Sequence, residues 1–200
     1  MANWYPLIIN TGSSQIQELP SGQNLDLTGS NISNVAAITI NSGGGTSIIN
    51  GGANASGNIG SSSSYFNTIY AQASTALYAD LAEKYLADAD YAPGTVVIFG
   101  GEQEITVTNE AADERVAGVI STNPAYLMNS GEPGLPVALR GKVPVRVVGP
   151  VAKGDSLVTS TTPGVAFSVG RERVYGQAVF AKSLESNDTD NEKVILAVIV

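Results

Sequence analysis

Cysteine and histidine are both absent from this chain of 200 residues. Without cysteine there is no disulfide, no thiol nucleophile and no thiolate zinc site. Without histidine the commonest general base is missing, and so is the side chain that titrates near neutral pH. Long apolar runs are also missing. No window reaches the roughly 18 apolar residues that a membrane-spanning helix needs. The first ten residues, Met1 to Asn10, carry no basic residue and only a short apolar run, so a secretory signal is not expected. Positive charge is scarce, with 10 basic against 18 acidic residues and a net charge of -8. A nucleic-acid binder needs a basic footprint that displaces phosphate counterions, and anionic membranes make a similar demand. Neither partner is expected here, and the chain is expected to be made in a cytoplasm and to stay soluble.

Charge is unevenly placed as well as scarce. No Lys or Arg precedes Lys84, and only Glu18 and Asp26 are acidic before Asp80. This shift marks a boundary near residue 80. Residues 41–64 are mostly Gly, Ser, Asn and Thr, with Ile48, Ile49 and Ile59 as the large apolar members. A Gly/Ser-rich linker is one reading of such composition. A second reading starts from apolar residues at strand-like spacing: Leu25 with Leu27, Ile32 with Val35, Ile38 with Ile40. Turn formers such as Gly29-Ser30-Asn31 and Asn50-Gly51-Gly52 lie between them. Very short strands bury no core alone, but copies wound about a shared axis cover one another. The expectation is therefore a β-shaft over residues 21–69, with a linker and a monomeric sandwich as alternatives. Ahead of it, residues 1–20 form a candidate anchor. Trp4, Tyr5, Leu7, Ile8 and Ile9 are its candidate particle-docking residues, because clustered aromatic and aliphatic side chains fill partner pockets. Packing on the chain's own shaft is the alternative.

From Tyr70 to about residue 90 the spacing predicts a helix. Tyr70, Ser74, Leu77, Leu81 and Tyr85 fall near the period of about 3.6 residues, and the alanines at 71, 73, 76, 79 and 82 favour helix. Ser74 or Thr75 would cap its start. Tyr70, Leu77, Leu81 and Tyr85 are its candidate trimer contacts, with Leu81 expected to be buried on the apolar stripe. A three-helix collar joining the halves and a helix docked on its own domain are the two readings.

Residues 91–200 read as all-β. Tyr91-Ala92-Pro93-Gly94 is a turn. Strands are expected at Thr95–Phe99, Glu104–Thr108, Val116–Ile120, Leu135–Leu139, Val143–Val148, Ser156–Thr159, Val174–Phe180 and Val194–Val200. Short strands so closely spaced suggest a closed barrel or barrel-like sandwich. The last run is apolar on both faces and should be buried on both, between sheets or against a neighbouring subunit. The fold class is mainly β: a short-stranded shaft, a short central helix and a C-terminal barrel, in an intertwined homotrimer.

A resemblance is carried by the junction. Asn58-Ile59-Gly60-Ser61 leads to Tyr65-Phe66-Asn67-Thr68-Ile69-Tyr70-Ala71, then to Ala76-Leu77-Tyr78-Ala79-Asp80-Leu81-Ala82-Glu83-Lys84-Tyr85. This resembles the segment of phage tail-fibre proteins in which a β-shaft gives way to a compact C-terminal domain. Tyr91-Ala92-Pro93-Gly94-Thr95-Val96-Val97 and Arg115-Val116-Ala117-Gly118-Val119-Ile120-Ser121-Thr122-Asn123-Pro124 extend the likeness, notably to appendage proteins of cyanobacterial phages. It covers residues 20 to 160. It implies a virion structural protein assembled in the host cytoplasm, a trimeric short tail or baseplate fibre or spike that contacts other virion proteins and a host-surface glycan or protein. A capsid decoration protein is the alternative, and a polysaccharide-degrading spike a more distant one. Part of the β-domain also resembles an autocleaving appendage chaperone. No nucleophile paired with an activating base accompanies that likeness.

No catalytic, cofactor or metal site is expected. Asp80 and Glu83 would share a helix face, and a glycosidase needs two such carboxylates, but both also fit a solvated face. Asp88 and Asp90 read as loop or capping residues, and Asp113-Glu114-Arg115 as a charged turn before a strand. Glu185, Asp188, Asp190 and Glu192 mimic an alternating calcium loop but lack its central Gly and its closing Glu, which favours a hairpin turn over a weak cation site. Gly43-Gly44-Gly45 has no following Lys and is no phosphate loop. In Val151-Ala152-Lys153-Gly154-Asp155-Ser156-Leu157 a tight turn is expected, with Gly154 at positive φ and Asp155 bonding the turn backbone.

Overall fold

The computed structural model describes residues 7–10, 15–18, 37, 59–61, 63–71, 75–171 and 178–200. The chain divides into two compact units, residues 1–58 and 59–200. In the first, β1 (Leu7–Asn10) and β2 (Gln15–Glu18) form an antiparallel pair, with Leu7 opposite Glu18 and Asn10 opposite Gln15. Leu7, Ile8 and Ile9 of the candidate anchor therefore lie in a strand. Trp4 and Tyr5 lie outside the described residues, as does most of the expected shaft over 21–69.

The second unit contains β3 (Asp80–Tyr85), β4 (Val96–Phe99), β5 (Ile105–Thr106), β6 (Val116–Ile120), β7 (Tyr126–Met128) and β8 (Leu135–Val147). After these come β9 (Ser156–Thr159), β10 (Ala166–Ser168), β11 (Ala181–Ser183) and β12 (Lys193–Ile199). Hydrogen-bonded neighbours run β10-β9-β11-β12-β8-β6-β4-β5. A parallel pairing of Ala166 in β10 with Val147 in β8 closes β8, β10, β9, β11 and β12 into a barrel. The expected barrel is thus present in a mainly β chain.

Valine and isoleucine dominate the strands because branched side chains fit a pleated, half-buried surface. Val143, Val145 and Val147 of β8 and Ile195, Ala197 and Ile199 of β12 alternate inward and join Leu157, Ala166 and Ala181 in the barrel core. A second cluster, Val97, Ile105, Ile120 and Val137, sits where β8 leaves the barrel, with Tyr85, Tyr91 and Leu135 packed on it. Each fully buried side chain of this kind contributes about 1.5–3 kcal/mol.

The two strands expected around Gly141 are one. β8 runs through that glycine, where φ is 105°. A side chain there would collide with the Ala79 carbonyl oxygen, so the close approach of the chain leading into β3 requires glycine. On one side of Gly141, β8 pairs with β12 from Gly141↔Ile199 to Val147↔Lys193. On the other it pairs with β3 and with β6. Other boundaries moved. Glu104–Thr108 is reduced to Ile105–Thr106, β7 and β10 form where no strand was expected, and of the strand expected at 174–180 residues 178–180 are not in a strand, while Ala181–Ser183 is. Residues 174–177 lie outside the described residues.

The predicted helix over 70–90 is overturned. Asp80–Tyr85 is a strand, and no helix occurs among the described residues. β3 pairs antiparallel with β8 and parallel with β7, so both its edges are satisfied. Two ladders of hydrogen bonds outweigh alanine's helix propensity of a few tenths of a kcal/mol per residue. The spacing was also ambiguous, because residues four apart share a face in a strand as well as in a helix.

The terminal run was expected to be covered on both faces, by a second sheet or by a neighbouring subunit, and within one chain one face is covered. Ile195, Ala197 and Ile199 are buried, while Leu196 and Val198 are only half-buried and Val194 is exposed in the single chain. One face is core, and the other is surface.

Candidate functional site

Polar side chains of the second unit are largely committed to one another. Asp113 is buried just before β6, in the turn where the sequence placed a charged group. Its carboxylate accepts hydrogen bonds from Arg115 Nε at 3.0 Å, Arg115 Nη2 at 2.7 Å, the Arg115 backbone N–H at 2.9 Å and Thr108 Oγ1 at 2.8 Å. Its own N–H donates to Thr159 Oγ1 at 2.7 Å, which ties the turn to β9. The Arg115 guanidinium foremost holds this carboxyl well below the usual carboxylate range. A carboxylate so fully engaged braces a turn and offers nothing to a substrate.

Asp80 and Glu83 do not form a pair. Asp80 is buried and accepts from Ser121 Oγ at 2.6 Å. Glu83 accepts from Tyr85 Oη at 2.7 Å and Asn129 Nδ2 at 2.6 Å. Positions three apart on a strand point to opposite faces, so the shared helix face is lost with the helix. Burial foremost, then the bond to Glu83, pushes the Tyr85 hydroxyl up to about 12. Tyr91 donates to Asp88, and that bond foremost lowers the Asp88 carboxyl from its ordinary value.

The acidic loop after β11 is organised by Asn187. Its side chain is buried and donates to the carbonyls of Gly149 and Thr189, both at 2.9 Å. Two of the loop's acids have partners: Glu185 accepts the Leu196 N–H at 2.9 Å, and Glu192 pairs with Arg146 at 2.7 Å. The turn before β9 follows the expectation, with φ of 92° at Gly154 and the Ala152 N–H donating to Asp155 Oδ2 at 2.8 Å. A groove of about 400 Å³ is lined by Phe167, Val148, Ala111 and Asp190, with Gly149, Ser160 and Thr161. Among the described residues, no group of three or more acidic or imidazole side chains is placed to hold a metal.

What stands out is apolar and outward-facing. Ile59 (78% exposed), Tyr65, Phe66, Ile69, Tyr70 (95%), Leu77 (87%) and Tyr78 all face outward ahead of β3. The candidate contacts thus part company. Tyr70 and Leu77 are exposed, Leu81 is more than a third exposed, and Tyr85 is half-buried, edge-on to Phe99 at 5.4 Å. Leu81 was expected to be buried; alternation along β3 buries Asp80 and Ala82 instead. Leu81 pairs with Tyr126 of β7, also exposed, and with Arg140 of β8. Sequence reasoning missed Tyr126, because nothing local announces a strand of three residues paired parallel to a distant one.

No protein-family profile, no curated protein and no solved structure matches this chain.

Proposed function

We propose that this chain is a structural protein of a tailed-bacteriophage particle, a short trimeric tail or baseplate fibre without enzymatic activity. Three copies cover one another's apolar segments ahead of the barrels. The barrels are carried as compact ends that meet a host-surface glycan or protein, and residues 1–20 dock on the particle.

One observation carries the assembly reading. Seven large apolar side chains between Ile59 and Tyr78 are outward-facing on a single chain. At roughly 100 Å² or more apiece, they expose on the order of 700 Å² of side chain within one short segment. A second copy is the simplest cover for a segment that ends at the first strand of a folded unit. The virion reading rests on the resemblance carried by Ala79-Asp80-Leu81-Ala82-Glu83-Lys84-Tyr85 and Tyr91-Ala92-Pro93-Gly94. The barrel supplies what such an appendage needs, a core built from strand pairing and apolar burial.

The test is to mix purified full-length chain, and a chain beginning near Ser74, with particles lacking this component. The full chain is expected to join the tail and the shortened one to remain free. Equal incorporation would make the barrel the docking element and reverse the molecule. Label found on the head would replace the fibre by a capsid decoration protein.

A further inference from the structure

Charge in the second unit is unevenly placed along the chain. Residues 80 to 132 hold ten acids and two bases, while residues 140 to 182 hold seven bases and two acids. A third, acidic stretch, Glu185 to Glu192, lies in the loop between β11 and β12. The strand order sets part of the first acidic group apart, since β4 and β5 end the sheet on one side while β12 and β11 lie beyond β8 on the other; the Asp113 turn is tied to β9 instead.

On the basic side, strand register builds a ladder. Val198 of β12 is opposite Lys142 of β8 and also opposite Lys182 of β11. Pro144 is opposite Leu196, and Leu81 is opposite Arg140. These are outward positions, with Lys142, Lys182 and Arg140 exposed and Leu196 and Val198 half-buried. The result is an apolar centre with a cationic rim. Among the described residues, the ion pairs formed involve other cations: Arg115, Arg146 and Arg171.

The acidic side mirrors it. Leu86 is 40% and Phe99 45% exposed. The backbone holds them beside the β4–β5 edge, where the Gly100 N–H bonds the Glu104 carbonyl and the Leu86 N–H bonds the Glu104 carboxylate. Glu102 and Asp90, both exposed, belong to the same loops. Here the apolar centre carries an anionic rim.

We propose that these two faces meet: the outer face of β8 and β12 in one copy receives the β4–β5 edge of the next. The inference rests on the self-assembly reading above and names its contact. Apolar centres remove area from water, while opposed rims select register and direction. Because the two faces differ, the contact is head-to-tail, and repetition about an axis closes a ring.

The test uses the full chain in three variants, each followed by sedimentation and by the temperature at which the assembly dissociates. Arg140→Glu with Lys142→Glu makes both faces acidic. Asp90→Lys with Glu102→Lys makes both basic. Each pair is expected to weaken self-association roughly tenfold or more at low salt. The gap should shrink at about 1 M salt, where screening acts within a few ångström. The chain carrying all four changes has its rims exchanged and is expected to return to within a few-fold of the parent. If both pairs assemble like the parent, the copies meet elsewhere, although the trimer stands. If the fourfold variant stays dissociated while folded, the two faces do not meet. Loss of host-surface binding with unchanged mass would assign the cationic face to another partner. A parent that sediments as a monomer removes the assembly reading itself.

Discussion

The segment from Ile59 to Tyr78 and the barrel that follows use similar side chains for opposite ends. In the barrel, isoleucine and valine of β8 and β12 alternate with outward residues, so each of these two strands buries one face against the others. In the preceding segment, tyrosine, phenylalanine, isoleucine and leucine find no such face among the described residues and remain exposed. Hydrophobicity alone therefore does not locate a core. Pairing does, because a strand joins a core only when neighbours satisfy its backbone and cover its apolar side. β3 is the hinge of the comparison: Ala82 is completely buried, while Leu81 beside it is 37% exposed.

The largest expected effect lies in the barrel. Ile195 is 1% exposed in its core. Ile195→Asp should unfold the second unit, costing about 4 kcal/mol or more for an unpaired buried charge, as read by chemical denaturation. Gly141→Val comes next, since it combines a positive φ with a collision against the Ala79 carbonyl. A loss of about 3 kcal/mol is expected, and the chain leading into β3 should become the first site of proteolysis.

Asp113→Asn should cost about 1–3 kcal/mol, because the charge-assisted bonds from Arg115 are weakened. It also carries a pH signature. A carboxyl whose value is depressed by folding stabilises fully above its unfolded value of about 3.9, and that contribution is lost as pH falls through the folded value. Denaturation curves from pH 5 down to pH 2 should therefore fall more steeply for the parent than for Asp113→Asn. Parallel curves would mean that the carboxyl is not bonded as described.

The smallest effect on stability is expected at Leu81. Leu81→Asp should cost the second unit about 1 kcal/mol, well below Ile195→Asp, since the side chain faces outward and keeps more than a third of its surface exposed. Its main effect should appear in assembly. A large drop in the melting of a dissociated chain would erase the contrast with Ala82.

Much of the barrel was legible in advance, because its strands announce themselves. Ser156–Thr159 in the barrel and Val116–Ile120 beside it stand where short apolar runs bounded by turn residues put them. The turn at Gly154 and Asp155 was legible for the same local reason. The region before it was not. Leu77, Leu81 and Tyr85 are spaced by four, which fits both periods, and the choice was made by distant partners, Tyr126–Met128 and Leu135–Gly141. The candidate contacts Tyr70 and Leu77 were found from a helix that does not form, and no strand among the described residues covers them. The opposed rims around Val198 and Phe99 were visible only as a charge sequence until register placed Lys142 and Lys182 on either side of one valine.

The central claim is that copies of this chain cover one another. Sedimentation equilibrium of the full chain at micromolar concentration tests it most directly. A mass three times that of the 20.5 kDa chain is predicted, and a stable species at 20.5 kDa would contradict it.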